Sequence, residues 1–192
     1  WSIITDANDN LYIGVTGTGG GDPAFAFKLD SGANHLWGTN GINVGAGFAV
    51  TILPLSSGEA IVSWFPGGSS VMQKYDASGA AVWGSTQSII NGANDTVPAD
   101  IYELSGGDFT LVFHSLLGGI SSNLYAQRYD GNGVAQWGNP TQLSNQTTAF
   151  NRSYGGVKDG DVVYYGYFGS TGTRFDSFLQ RVNADGTLPW GI

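Results

Sequence analysis

Asp76-Ala-Ser-Gly-Ala-Ala-Val-Trp83-Gly84 is the stretch on which the reading of this chain turns. An acidic residue opens a tight turn, and a Trp-Gly pair follows with the Trp seven residues on. The spacing recurs from Asp30 to Trp37-Gly38, in Asp130-Gly-Asn-Gly-Val-Ala-Gln-Trp137-Gly138, and in Asn183-Ala-Asp-Gly-Thr-Leu-Pro-Trp190-Gly191. Successive Trp residues stand 46, 54 and 53 positions apart. Four copies of one device at this period mark a repeat protein, in which each unit buries its apolar face only against a neighbour.

The residues between the markers read as short strands. Ala60-Ile-Val-Ser-Trp-Phe65 and Val71-Met-Gln-Lys-Tyr75 are aromatic and β-branched runs bounded by Ser56-Ser-Gly58 and Pro66-Gly-Gly68 turns. With residues 48–53 before them and 81–83 after, they make a four-stranded unit. The third unit repeats the order at 99–104, 109–113, 124–129 and 135–137. The fourth does so at 151–154, 162–165, 178–182 and 188–190, and the first at 2–5, 11–16, 25–29 and 35–37. No window holds a 3.6-residue apolar period, so essentially no helix is expected. The second strands are apolar almost throughout, which requires cover on both sheet faces. Stacked sheets meet that requirement. The expected fold is all-β, a β-propeller-like array of four four-stranded antiparallel blades at 1–38, 39–84, 85–138 and 139–192. No blade is split between the ends to fasten a ring, so an arc or half of a larger propeller is expected.

Two details have local physical reasons. Asp76 can fold its carboxylate onto the backbone two residues on, while Gly79 takes the positive φ that a tight hairpin needs. Asp130 with Gly133 and Asn183 with Gly186 repeat this; the first unit reads one residue short, with Gly32 in that role. Trp37, Trp83, Trp137 and Trp190 are expected to cover the last strand of each unit and to pack against the neighbouring blade. Cations recur two residues before each turn (Lys28, Lys74, Arg128, Arg181), and acids begin the second strands (Asp9, Glu59, Asp108, Asp161). Antiparallel pairing brings the two sets together as an ion pair in each blade; a charged ring facing a ligand is the alternative.

Composition removes several function classes. Seven Lys plus Arg against fifteen acids give a net charge of −8. Nucleic acid binding needs a basic footprint, and an anionic membrane surface would repel this chain. There is no Cys for a disulfide or thiolate metal site, and no apolar run of membrane-spanning length. The chain begins at Trp1 rather than Met, which reads as a piece of something longer.

Candidate chemistry is sparse. There is no Gly-x-Ser-x-Gly elbow; His35 reads as a structural or solvent residue, and His114 as a loop residue after a strand. Gly17–Gly21 resembles a phosphate loop in composition alone, since no Lys-Ser/Thr and no helix follow. Asp6, Asn8 and Asn10 match the first half of a calcium loop, but Leu11 stands where its Gly belongs; a turn is the simpler reading. Thirteen Asp and two Glu single out no hydrolytic pair. Asn94, Asn145 and Asn151 open glycosylation sequons of a kind that chance produces in an Asn- and Thr-rich chain. Trp64, Phe65, Tyr165 and Tyr167 are candidates for stacking on a sugar ring, with core packing as the competing role.

The runs Gln73-Lys-Tyr-Asp76, Tyr125-Ala-Gln-Arg-Tyr-Asp130-Gly-Asn-Gly and Gln180-Arg-Val-Asn183-Ala-Asp-Gly, each followed by its Trp-Gly, resemble propeller-like repeats in large secreted and cell-surface proteins of Bacteroidota, many of them cargo of the type IX secretion system. The first unit fits least, with Phe27 in place of the Gln, and the sorting domain of such cargo is not in this sequence. The resemblance implies an extracellular, non-enzymatic module for adhesion, assembly or ligand binding, partnered by other blades, a surface protein or a glycan. It carries no catalytic residues or cofactor. A lectin-like or glycan-hydrolase-associated propeller is the alternative.

Overall fold

The computed structural model describes residues 2–16, 21–150 and 154–192. The glycine run at 17–20 and residues 151–153, with the Asn151 sequon, lie outside these. The chain forms two compact units, Trp1–Ile90 and Asn91–Ile192, each holding two antiparallel sheets.

In the first unit, sheet one runs in order β1 (Ser2–Thr5), β2 (Leu11–Thr16), β3 (Pro23–Leu29) and β4 (Ile42–Ala46). Sheet two runs β5 (Phe48–Pro54), β6 (Ala60–Phe65), β7 (Val71–Tyr75) and β8 (Gln87–Ser88). One core joins the two sheets: Tyr12, Ala24 and Ala26 of sheet one meet Ile52, Val62 and Trp64 of sheet two. Burial alternates along β2 and β3, whereas all six residues of β6 are buried, so sheet two is covered on both faces.

In the second unit, sheet three runs β9 (Thr96–Glu103), β10 (Phe109–Gly118), β11 (Ser121–Tyr129) and β12 (Thr141–Gln142), with the short β13 (Thr148–Ala149) also pairing β11. Sheet four has three strands, β14 (Gly155–Asp159), β15 (Val162–Ser170) and β16 (Phe175–Val182). Val112, Leu124 and Ala126 of sheet three pack on Val163, Tyr165 and Val182 of sheet four. Among the described residues the one helical element is a three-residue turn at Ser105–Gly107, and no helix is long and apolar enough to cross a membrane.

Three expectations need correction. The Trp-Gly segments are not the fourth strands; Ala81 and Ala135 make single bridges to Tyr75 and Tyr129, and the completing strand follows the Trp-Gly pair. The sheets therefore run past the boundaries expected at 38, 84 and 138. The reason is a side chain that stands in for a ladder: Gln73 donates to the Trp83 carbonyl and accepts from the Trp83 N–H, both at 3.2 Å. The first hairpin is not a residue short either. Ala33, at φ 62°, takes the left-handed position that Gly79, Gly133 and Gly186 hold elsewhere. Finally, His114 is no loop residue: it lies within β10, paired with Val97 and Leu124, and is 2% exposed.

Candidate functional site

The hairpins of the first three repeats share one construction. The Oδ1 of Asp30 accepts from the N–H groups of Gly32 and Asn34, that of Asp76 from Ser78 and Ala80, and that of Asp130 from Asn132 and Val134, all within 2.8–3.0 Å. Hydrogen bonds led by Ser78 to Asp76, and by Asn34 to Asp30, hold these carboxyls below their ordinary pKa. Asn183 keeps the same backbone bonds, its N–H reaching the Thr187 carbonyl.

The Gln that precedes Lys74, Arg128 and Arg181 has a role the sequence did not disclose. Gln127 repeats the Gln73 clamp on Trp137, and Gln180 donates to the Gly191 carbonyl. All three are at most 5% exposed. The recurrence of Gln at this position was the available signal, since a buried amide needs partners for both its donor and its acceptor.

Within each unit a Trp faces the following sheet. Trp37 of sheet one donates through Nε1 to the Ala77 carbonyl of the sheet-two hairpin, and Trp137 of sheet three donates to Ala184 of the sheet-four hairpin, both at 3.2 Å. Tyr12 and Tyr75 flank Trp37 at 5.5 and 6.1 Å between ring centres. The hairpin glycine makes room for the incoming ring. A Cβ on Gly79 would stand 3.0 Å from Trp37, and one on Gly186 2.9 Å from Trp137.

The cations reinforce this seat. Lys74 pairs with Glu59, and Arg128 with Asp108, each at 2.8 Å. Arg128 also donates to the Ala184 carbonyl of the next hairpin, and Lys28 reaches the Gly58 carbonyl of the next sheet. In sheet four the expected acid, Asp161, instead accepts from the Ser105 N–H and hydroxyl of sheet three. Arg181 lies over the Tyr164 ring, and its buried Nε has no hydrogen-bond partner.

Sheet four consequently presents a bare copy of a surface that is covered elsewhere. Leu179 is 58% exposed, yet the residues in its repeat position, Ala26, Met72 and Ala126, are fully buried. Trp190 is 54% exposed, against 5% for Trp37. Its ring lies 6.0 Å from that of Tyr164. All five residues of β14 are exposed, and β16 is the sheet edge. The glycine pair Gly155 and Gly166 forms part of an open groove of about 310 Å³ bounded by Tyr154, Tyr167, Phe168 and Phe178.

The four candidate stacking rings are core rings. Trp64 and Tyr165 are 4% and 0% exposed, Phe65 packs edge-on to Phe48, and Tyr167 stacks on Phe178. Of these, Tyr167 borders the groove; Phe168, which the sequence did not single out, is 39% exposed there. Of the residues read as calcium ligands, Asp6 has its carboxylate engaged in the β1–β2 turn. Asp6 accepts from the Asn8 and Asn10 backbones, the Asn10 amide and the Tyr12 hydroxyl. Among the described residues no three His, Cys, Asp or Glu side chains are grouped as metal ligands would be.

Two titratable groups sit in the core of the second unit. Burial lifts Asp100 to about 6, against the opposing hydrogen bond from Tyr102 at 3.2 Å. Burial also pushes His114 down to about 3; its Nδ1 meets the Ser122 hydroxyl at 2.9 Å, and Ser122 in turn meets Thr148.

No protein-family model and no curated protein matches the chain. Solved structures do. A subtype N10 neuraminidase-like protein of A/little yellow-shouldered bat/Guatemala/060/2010 superposes with a TM-score of 0.65 at 12% identity, over 97% of this chain and 56% of that one. An α-L-arabinofuranosidase from Clostridium thermocellum gives 0.58 at 11% identity, over 96% and 68%. An endo-1,4-β-xylanase from Bacteroides thetaiotaomicron gives 0.59 at 13%, over 97% and 69%. The chain spans about half to two thirds of the length of these structures, and at such identities the likeness is one of fold: an all-β chain of antiparallel sheets.

Proposed function

We propose that this chain is a non-enzymatic β-propeller module of a secreted or cell-surface protein, whose work is assembly: holding successive sheets, and a partner at the fourth, in fixed order. The observation that carries this reading is the seat of Trp37 and Trp137 on the hairpin of the following sheet. An indole of one sheet hydrogen-bonded to the hairpin of the next, in Trp137 with its own backbone held by Gln127, is a device for stacking sheets. The groove supports binding rather than hydrolysis, because its lining holds no carboxylate, whereas glycosidic cleavage uses a pair. Extracellular placement rests on the resemblance of the Gln-x-x-Asx…Trp-Gly repeats to secreted proteins.

The groove also favours a second reading, carbohydrate binding, since an aromatic wall over a glycine floor suits a sugar ring and several proteins of similar fold carry glycan-hydrolase names. The two readings compete for one face. Electrophoresis through gels cast with a polysaccharide panel separates them. Assembly predicts unchanged mobility in every gel. Retardation abolished by Phe168→Ala would establish the carbohydrate reading instead, and turnover abolished by Asp100→Asn would make the chain a hydrolase.

A further inference from the structure

We infer that the outer face of sheet four, centred on Trp190, Arg181 and Leu179, seats a further antiparallel sheet of this same repeat type, gripped through a hairpin of sequence Asx-x-x-Gly. This deepens the assembly reading and rests on it.

The chain displays the filled form of this interface twice. In each, a Trp Nε1–H and a basic side chain of one sheet converge on carbonyls of the next: Trp37 and Lys28 on Ala77 and Gly58, Trp137 and Arg128 both on Ala184. Sheet four carries the same donors. Trp190 stands half exposed, and the Nε of Arg181, buried against Tyr164, has no acceptor. A buried guanidinium N–H without a partner is a costly arrangement that an incoming carbonyl would relieve. Around these donors Leu179 and Val157 are 58% and 66% exposed, an apolar area that a second sheet would remove from water.

The hairpin glycine identifies the occupant. Gly79 and Gly186 leave room for the ring that lies on them, and both are already occupied by Trp37 and Trp137. The first hairpin has Ala33 at this position. A methyl group there stands where the ring must come, so the first sheet of a second copy is a poor acceptor. A hairpin with glycine three residues after its Asp or Asn, as at Gly79, Gly133 and Gly186, is therefore the form of acceptor required.

The test is an extended chain in which residues 139–192 are repeated after Ile192. This sets the Asn183-x-x-Gly186 hairpin 47 residues behind Trp190, against 46 behind Trp137. Hydroxyl-radical oxidation of each Trp is read by mass spectrometry, with amide exchange of the appended repeat. Oxidation of Trp190 should fall to the rate of Trp137, and Gly186→Val in the appended copy should restore it. An unchanged Trp190 rate, whether the appended repeat folds or not, overturns the inference, because the face is held to be its template. Protection of Trp190 in the unextended chain that rises with protein concentration overturns it too, by making a second copy the occupant. Trp37 and Trp137 separate this failure from that of the assembly reading: if they oxidise rapidly in the unextended chain, sheet stacking itself is refuted.

Discussion

Replacing Gly79 with Ala should destabilise the first unit through two separable effects. Gly79 has φ 90°, and the left-handed region disfavours a side chain by about 1–2 kcal/mol. Its Cβ would also stand 3.0 Å from Trp37 Cδ1 and 3.1 Å from both Trp37 Cγ and Ile42 Cδ1. Trp37 is 5% exposed, clamped to Ala77 and flanked by Tyr12 and Tyr75, so it cannot withdraw freely. Crowding of this kind costs about 1–3 kcal/mol. The two together give about 2–5 kcal/mol. Ala33 shows that the backbone term alone is tolerable, since an alanine already occupies the equivalent position at φ 62°. The discriminating assay is a double-mutant cycle by urea denaturation with Trp37→Ala. In that background Gly79→Ala should cost only the backbone part, about 1–2 kcal/mol. Equal losses in both backgrounds would refute the claim that this glycine exists to admit the Trp of the preceding sheet.

Other outcomes follow from the same geometry. Gln127→Leu should cost about 1–3 kcal/mol for each Trp137 backbone group it leaves unsatisfied, and should speed hydrogen exchange of the Trp137 amide, which two-dimensional NMR reads directly. Asp30 and Asp76 titrate below the ordinary Asp value, so their contribution is present above that value and is lost as pH falls through their lowered pKa; Asp76→Ala should flatten acid unfolding in that range. Asp100 runs the opposite way. Its folded pKa, raised to about 6 from 3.8, means the folded state binds the proton more tightly, so stability falls as pH rises between those values. Asp100→Asn should remove that decline, and thermal unfolding across the interval reads it.

The sheet order was legible because the turns announce themselves. Asp76 with Gly79 and Asp130 with Gly133 close hairpins of the kind their sequences specify. Their spacing sets the period. The fourth strands were misplaced because the Trp segment is held by the Gln73 and Gln127 amides, and the residue pattern of the segment itself does not tell a side-chain clamp from a strand ladder. His114 was missed for a related reason: β10 extends through His114 and Ser115, polar residues satisfied out of water by the Ser122 hydroxyl and the Asn94 amide respectively. The interaction face was hidden more deeply. Leu179 occupies the same repeat position as Met72 and Ala126, and only accessibility distinguishes a covered copy from a bare one.

The central claim is that Trp37 and Trp137 each seat on the hairpin of the sheet that follows within their unit. Hydrogen exchange at the indole Nε1–H of individually assigned tryptophans measures this in the unmodified chain. Trp37 and Trp137 donate to backbone carbonyls at 3.2 Å and should exchange slowly, while the half-exposed Trp190 should exchange at close to the rate of free indole. Rapid exchange at Trp37 and Trp137, equal to that of Trp190, would contradict it.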